Sequence, residues 1–77
     1  MRFRQYSNND ATLREWARQL SIINHGFYRL YPTIESTLYH WKDELNKNIS
    51  VNTFSLKGTN EETIYNWQEK LNSLYNI

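Results

Sequence analysis

Three tryptophans divide the chain into similar thirds, and their spacing constrains the fold more than any other feature. Trp16, Trp41 and Trp67 lie 25 and 26 residues apart in a chain of 77 residues. Aligned on them without a gap, the chain shows an acid, a threonine and an aliphatic residue before each tryptophan, a leucine after it, and an aromatic residue further upstream. These columns are Asp10, Glu35, Glu61; Thr12, Thr37, Thr63; Leu13, Leu38, Ile64; Leu20, Leu45, Leu71; and Phe3, Tyr28, Phe54. The pattern predicts a single domain, 1–77, built from three repeat units, 1–25, 26–50 and 51–77.

Each unit is predicted to be an extended segment followed by a helix. The aliphatic, tryptophan and leucine columns recur at i, i+3 and i+7, which indicates a helical stripe that faces the core. The tryptophans are therefore interpreted as core residues. Helix starts are predicted at the N-caps Asn8, Thr33 and Thr59, with Glu62 completing a capping box in the third unit. Gly26 is predicted to end the first helix in the left-handed conformation.

Strand–helix units in tandem are typical of parallel strands joined by right-handed crossovers. The predicted fold is therefore α/β, a two-layer domain in which three helices pack on one face of a three-stranded sheet, or α+β if one strand pairs antiparallel. Side chains alternate between the faces of a strand. The helix-covered face is predicted to carry Phe3, Gln5, Tyr28, Leu30, Phe54 and Leu56.

The opposite sheet face is predicted to be open, free of acids, and rich in cations and aromatics. Its residues are Arg2, Arg4, Tyr6, Phe27, Arg29, Tyr31, Thr53, Ser55 and Lys57. Arginine and aromatic residues dominate binding hot spots, so we predict that Arg2, Arg4, Tyr6, Phe27, Arg29, Tyr31 and Lys57 bind a partner. Alternatively, the arginines cover the aromatics and only solubilise the sheet. A secondary surface is predicted on the outside of the helices, at Arg14, Tyr39 and Tyr65.

Sequence motifs for catalysis are absent from the chain. It has no cysteine and two glycines, and it lacks the phosphate-binding, dinucleotide-binding and serine-hydrolase motifs. His40 precedes Asp43 and Glu44 at helical spacing, which suggests either a metal or acid–base site or, as we favour, an ordinary solvated helix face. The sequence predicts no enzyme, no cofactor and no metal.

Net charge and composition limit the kind of partner. The chain carries a net charge of +1, too little for a polyanion binder that works by bulk charge. Without cysteine, a signal peptide or a membrane-length apolar run, it is predicted to be cytoplasmic (intracellular) and not membrane-bound. The leading hypothesis is an adaptor or inhibitor that binds an acidic protein surface, such as a phage or mobile-element accessory protein. The alternatives are single-stranded nucleic-acid binding through the same face and a structural homo-oligomer.

Overall fold

The described part of the chain contains helices and no strands. The computed structural model describes residues 3–49 and 54–75, which form α1 (Asn9–Asn24), α2 (Ile34–Ile49) and α3 (Asn60–Leu74). A short non-helical stretch, here called the lead segment, precedes each helix at 3–6, 28–31 and 54–57. The predicted α/β fold with a three-stranded sheet, and its α+β variant, are therefore wrong. Across these residues the protein is all-α.

The lead segments form no sheet because helix side chains bond their backbone polar groups. In each unit the tryptophan Nε1–H donates to a lead-segment carbonyl twelve residues earlier, and the threonine Oγ1 accepts from a backbone N–H six residues earlier. The tryptophan bonds join Trp16 to Arg4 (2.9 Å), Trp41 to Arg29 (2.9 Å) and Trp67 to Ser55 (3.0 Å). The threonine bonds join Thr12 to Tyr6 (2.9 Å), Thr37 to Tyr31 (3.0 Å) and Thr63 to Lys57 (2.9 Å). Two backbone groups of each lead segment, which a neighbouring strand would satisfy in a sheet, are thus satisfied within the unit.

Two asparagines connect one unit to the next. The Asn46 side chain of α2 accepts from the Phe54 backbone N–H (2.9 Å) and donates to the Phe54 carbonyl (3.0 Å). Asn72 of α3 makes the same pair of bonds with Phe3, each 2.8 Å long. Because Asn72 joins the third unit to the first, the units close into a ring instead of extending as an open array. The principal extents of 25 × 23 × 20 Å agree with this closure.

The hydrophobic core takes the same four residue columns from every unit. Its members are Phe3, Leu13, Trp16, Leu20, Tyr28, Leu38, Trp41, Leu45, Phe54, Ile64, Trp67 and Leu71. Within each unit the upstream aromatic ring meets the tryptophan edge-on, with centroids 5.5–5.8 Å apart, an arrangement that adds to the energy of area burial. The interpretation of the three tryptophans as core residues is confirmed, since none is more than 1% exposed.

Local predictions have mixed outcomes. The N-caps are confirmed: Asn8 accepts from the Ala11 N–H, Thr33 from Ser36 and Thr59 from Glu62. The left-handed residue after α1 is His25 (φ 58°, ψ 24°), so the prediction for Gly26 is wrong.

The predicted alternation of buried and exposed residues also fails. Gln5, Leu30 and Leu56 are exposed, because a lead segment that is held by its backbone buries only its aromatic residue. No helix in the described ranges is long and apolar enough to cross a membrane.

Candidate functional site

The predicted partner-binding residues pair within units rather than across a common sheet face. The Arg4 guanidinium carbon lies 4.9 Å from the ring centroid of Tyr6, and that of Arg29 lies 5.3 Å from Tyr31. In the third unit the Lys57 Nζ donates to the Ser55 Oγ (3.2 Å). Among the described residues, no hydrogen bond, ion pair or ring contact joins the predicted site residues of different units. Arg2 and Thr53 lie outside the described residues.

The same outer position of each unit holds a different set of side chains. This position is the helix residue immediately before the tryptophan, which is Glu15, His40 or Asn66. In the first unit Glu15 forms an ion pair with Arg18. The hydrogen bond from Arg18, with smaller contributions that include the charge of Arg4, lowers the pKa of Glu15. The first unit therefore pairs its own charges.

The second unit fills this position with rings in contact. Tyr31 stacks on His40, with centroids 4.0 Å apart and an interplanar angle of 14°, and Tyr39 meets His40 edge-on at 5.5 Å. We call Tyr31, His40 and Tyr39 the aromatic row. The cations Arg29 and Lys42 flank it, and the Lys42 Nζ lies 5.1 Å from the ring centroid of Tyr39. His40 and Tyr39 are exposed, so the row presents aromatic surface to solvent.

A pocket of about 240 Å³ adjoins the aromatic row. It is lined by Phe27, Tyr31, His40, Trp41, Asp43, Glu44 and Lys47, and we call it the unit-2 pocket. Phe27 is 71% exposed, and its backbone N–H donates to the Glu44 carboxylate (2.9 Å). That bond, more than any other interaction, lowers the pKa of Glu44, and a 3.0 Å bond from Asn48 adds to it.

The unit-2 pocket brings carboxylates next to a surface that was predicted to be free of acids. Asp43 and Glu44 line it together with Phe27 and Tyr31. The prediction failed here because a sheet would have separated the helix acids from the open face. The charge argument for an acidic partner is weaker as a result.

The predicted secondary surface separates into individual residues. Tyr39 belongs to the aromatic row, whereas Tyr65 is 58% exposed on α3 and makes no ring contact with Tyr39. Arg14, at the same position in α1, is also exposed.

His40 is the functional candidate that sequence reasoning set aside. The favoured interpretation, an ordinary solvated helix face, identified its exposure but not its stacking on Tyr31. The available signal was the aligned position before each tryptophan, where a histidine stands in place of Glu15 and Asn66. Within residues 3–49 and 54–75, no group of His, Asp and Glu side chains is arranged to hold a metal ion.

Lys57 lines a larger cavity, about 380 Å³, between the third lead segment and α2. Glu35 and Glu61 line it as well, and no aromatic side chain does. It therefore lacks the aromatic surface that distinguishes the unit-2 pocket.

Comparisons with family models, with curated proteins and with solved structures give no match for the chain.

Proposed function

We propose that this protein is a non-catalytic protein-binding module whose binding surface is the aromatic row of the second unit. One observation carries the proposal: of three equivalent outer positions, the second alone holds exposed rings in mutual contact, within the described residues. The equivalent position of the first unit pairs its own charges, and the third holds Ser55, Lys57 and Asn66.

Exposed aromatic rings leave apolar surface in contact with water, and a partner that covers this surface gains free energy. Large contiguous apolar patches on soluble proteins commonly mark interaction sites. Tyrosine and arginine are enriched among the residues that dominate binding energy. The row offers both, since Arg29 lies over Tyr31 at one end. The aromatic faces and the adjoining pocket favour a protein partner over a nucleic-acid strand, because Asp43 and Glu44 offset the flanking cations Arg29 and Lys42 that would otherwise attract phosphates.

The test compares a row variant with a matched control. The row variant carries Tyr31→Ala, Tyr39→Ala and His40→Ala. The control carries Tyr6→Ala and Tyr65→Ala, which truncate the residues at positions equivalent to Tyr31 and Tyr39. Circular dichroism and thermal melting establish that both variants fold. Immobilised proteins are then used for quantitative affinity capture from nuclease-treated cell extract of the source organism.

We expect a partner that the wild type and the control retain equally and that binds the row variant at least about tenfold more weakly. Two hot-spot residues, each contributing about 2 kcal/mol, are sufficient for that loss. Equal recovery with the row variant would refute the proposal, as would equal loss with the control. Fluorescence anisotropy with a labelled single strand tests the competing function. Salt-sensitive strand binding that the row variant loses would replace protein binding with nucleic-acid binding.

A further inference from the structure

The unit-2 pocket combines aromatic surface with negative charge. Phe27, Tyr31 and His40 contribute rings to its lining, and Asp43 and Glu44 contribute carboxylates. Aromatic faces attract cations through their negative electrostatic surface, and a nearby carboxylate strengthens that attraction. The first and third units have no equivalent combination in their described residues.

The two carboxylates have different roles. Glu44 fixes the pocket wall, because its Oε2 accepts from both the Phe27 backbone N–H and the Asn48 side chain. The Asp43 side chain is 74% exposed, and the Lys42 Nζ approaches its Oδ1 only to 3.8 Å. Asp43 is thus the carboxylate that remains accessible to a ligand. Lys47 is the cation of the described lining, and Arg29 and Lys42 lie beside Tyr31 and Asp43, so the attraction for a ligand cation comes from the accessible Asp43 carboxylate and not from the net charge of the site.

We propose that the unit-2 pocket binds the guanidinium group of an arginine side chain from the partner protein. This inference rests on the proposed function and names the chemistry that the site recognises. Guanidinium is planar and weakly hydrated, so it stacks on aromatic rings while its N–H groups bond a carboxylate. A guanidinium would replace the 3.8 Å approach of the Lys42 Nζ to Asp43 with direct N–H bonds to that carboxylate while it stacks on the exposed Phe27 ring, whereas a neutral side chain would gain no charge pair.

Peptide titration by NMR tests the proposal without knowledge of the partner. Acetyl-Gly-Arg-Gly-amide is titrated into the isotope-labelled protein, and the resonances of Phe27, His40 and Asp43 are followed. The matched probe replaces arginine with citrulline, which keeps the shape but removes the charge. We expect saturable shifts in the millimolar range with the arginine peptide, and binding of the citrulline peptide about tenfold weaker, as expected for the loss of a cation–π contact together with a charge pair.

Protein variants test which carboxylate is used. Asp43→Asn is expected to weaken binding of the arginine peptide about three- to fivefold, the effect of one exposed charge pair. Glu69→Gln is the control, because Glu69 occupies the equivalent position of α3, and we expect it to bind like the wild type. Equal affinity for the arginine and citrulline peptides would overturn the inference. Absence of saturable shifts, or equal weakening by Glu69→Gln, would overturn it as well.

The capture experiment separates this inference from the function on which it rests. If Asp43→Asn retains the partner fully while the row variant loses it, arginine recognition is refuted and the binding module stands. If the row variant also retains the partner, both proposals fail.

Discussion

The threonine column offers the most direct test of how the lead segments are held. Thr37 is 1% exposed, and its Oγ1 accepts from the Tyr31 N–H and donates to the Thr33 carbonyl. Thr37→Val removes the hydroxyl while keeping the branched shape. The Thr33 carbonyl keeps a partner, because the Thr37 backbone N–H also donates to it (3.1 Å). The loss therefore falls on the Tyr31 N–H, which is left without an acceptor.

The expected cost of Thr37→Val is about 2 kcal/mol, since an unsatisfied, partly buried donor costs about 1–3 kcal/mol. Thr37→Ser is the matched variant: it keeps the hydroxyl and loses one methyl group, which costs about 1 kcal/mol. A domain of this size has a free energy of unfolding of about 4–12 kcal/mol. Thr37→Val is thus expected to lower the melting temperature by about 8–16 °C.

Chemical denaturation followed by tryptophan fluorescence measures both variants. The same pair of substitutions at Thr12 and Thr63 repeats the test, because those hydroxyls make the same two bonds at 2.9–3.0 Å. The hydrogen-bond account requires the valine variant to be less stable than the serine variant at all three positions. If serine proves the more damaging substitution, the threonines serve packing, and the explanation for the missing sheet is wrong.

Two further predictions concern the contacts between units and the stability in acid. Asn72→Ala removes both bonds to the Phe3 backbone and is expected to lower the free energy of unfolding by about 2 kcal/mol, measured by urea denaturation against Ser73→Ala as control. An effect no larger than that of Ser73→Ala would contradict ring closure through Asn72. The pKa of Glu44 is lowered chiefly by the Phe27 N–H, so its stabilising contribution is present above the ordinary carboxyl pKa and disappears as the pH falls through the lowered value. Glu44→Gln should therefore flatten the acid limb of a stability-versus-pH profile, and an unchanged limb would show that the charge of Glu44 contributes no stability to the folded state.

Features that depend on neighbours along the chain were predictable from the sequence. The tryptophan and leucine stripe and the N-caps at Asn8, Thr33 and Thr59 all depend on residues within two helical turns. Whether the stretches before the helices pair as strands could not be predicted in this way. Aromatic-rich stretches before each helix have strand-like composition, and only the destination of their backbone hydrogen bonds distinguishes a strand from a lead segment held by a helix. The repeated spacing of threonine and tryptophan contained that information, because amphipathicity alone does not explain a threonine hydroxyl at a buried position.

The error about the sheet also explains why the candidate site was incompletely predicted. In a two-layer domain the open face and the outer helix surfaces lie on opposite sides, so Tyr31 and His40 would never meet. In the structure their rings stack at 4.0 Å, because the lead segment lies directly on its own helix. Arg29 and Tyr31 could be proposed from the lead segment alone. To identify His40 and Asp43 as site residues, it was necessary to know how the lead segment packs on its helix.

The repeated architecture separates the residues that stabilise the fold from those available for binding. Each unit is held by its core columns, its threonine and its N-cap. The positions that precede each tryptophan belong to none of these sets and differ between the units, as Glu15, His40 and Asn66 show. Tyr31 shows the separation within one residue: its backbone N–H bonds Thr37, whereas its ring stacks on His40. Truncating the ring therefore leaves the bond to Thr37 intact, which is why the row variant is expected to fold and to lose only its partner.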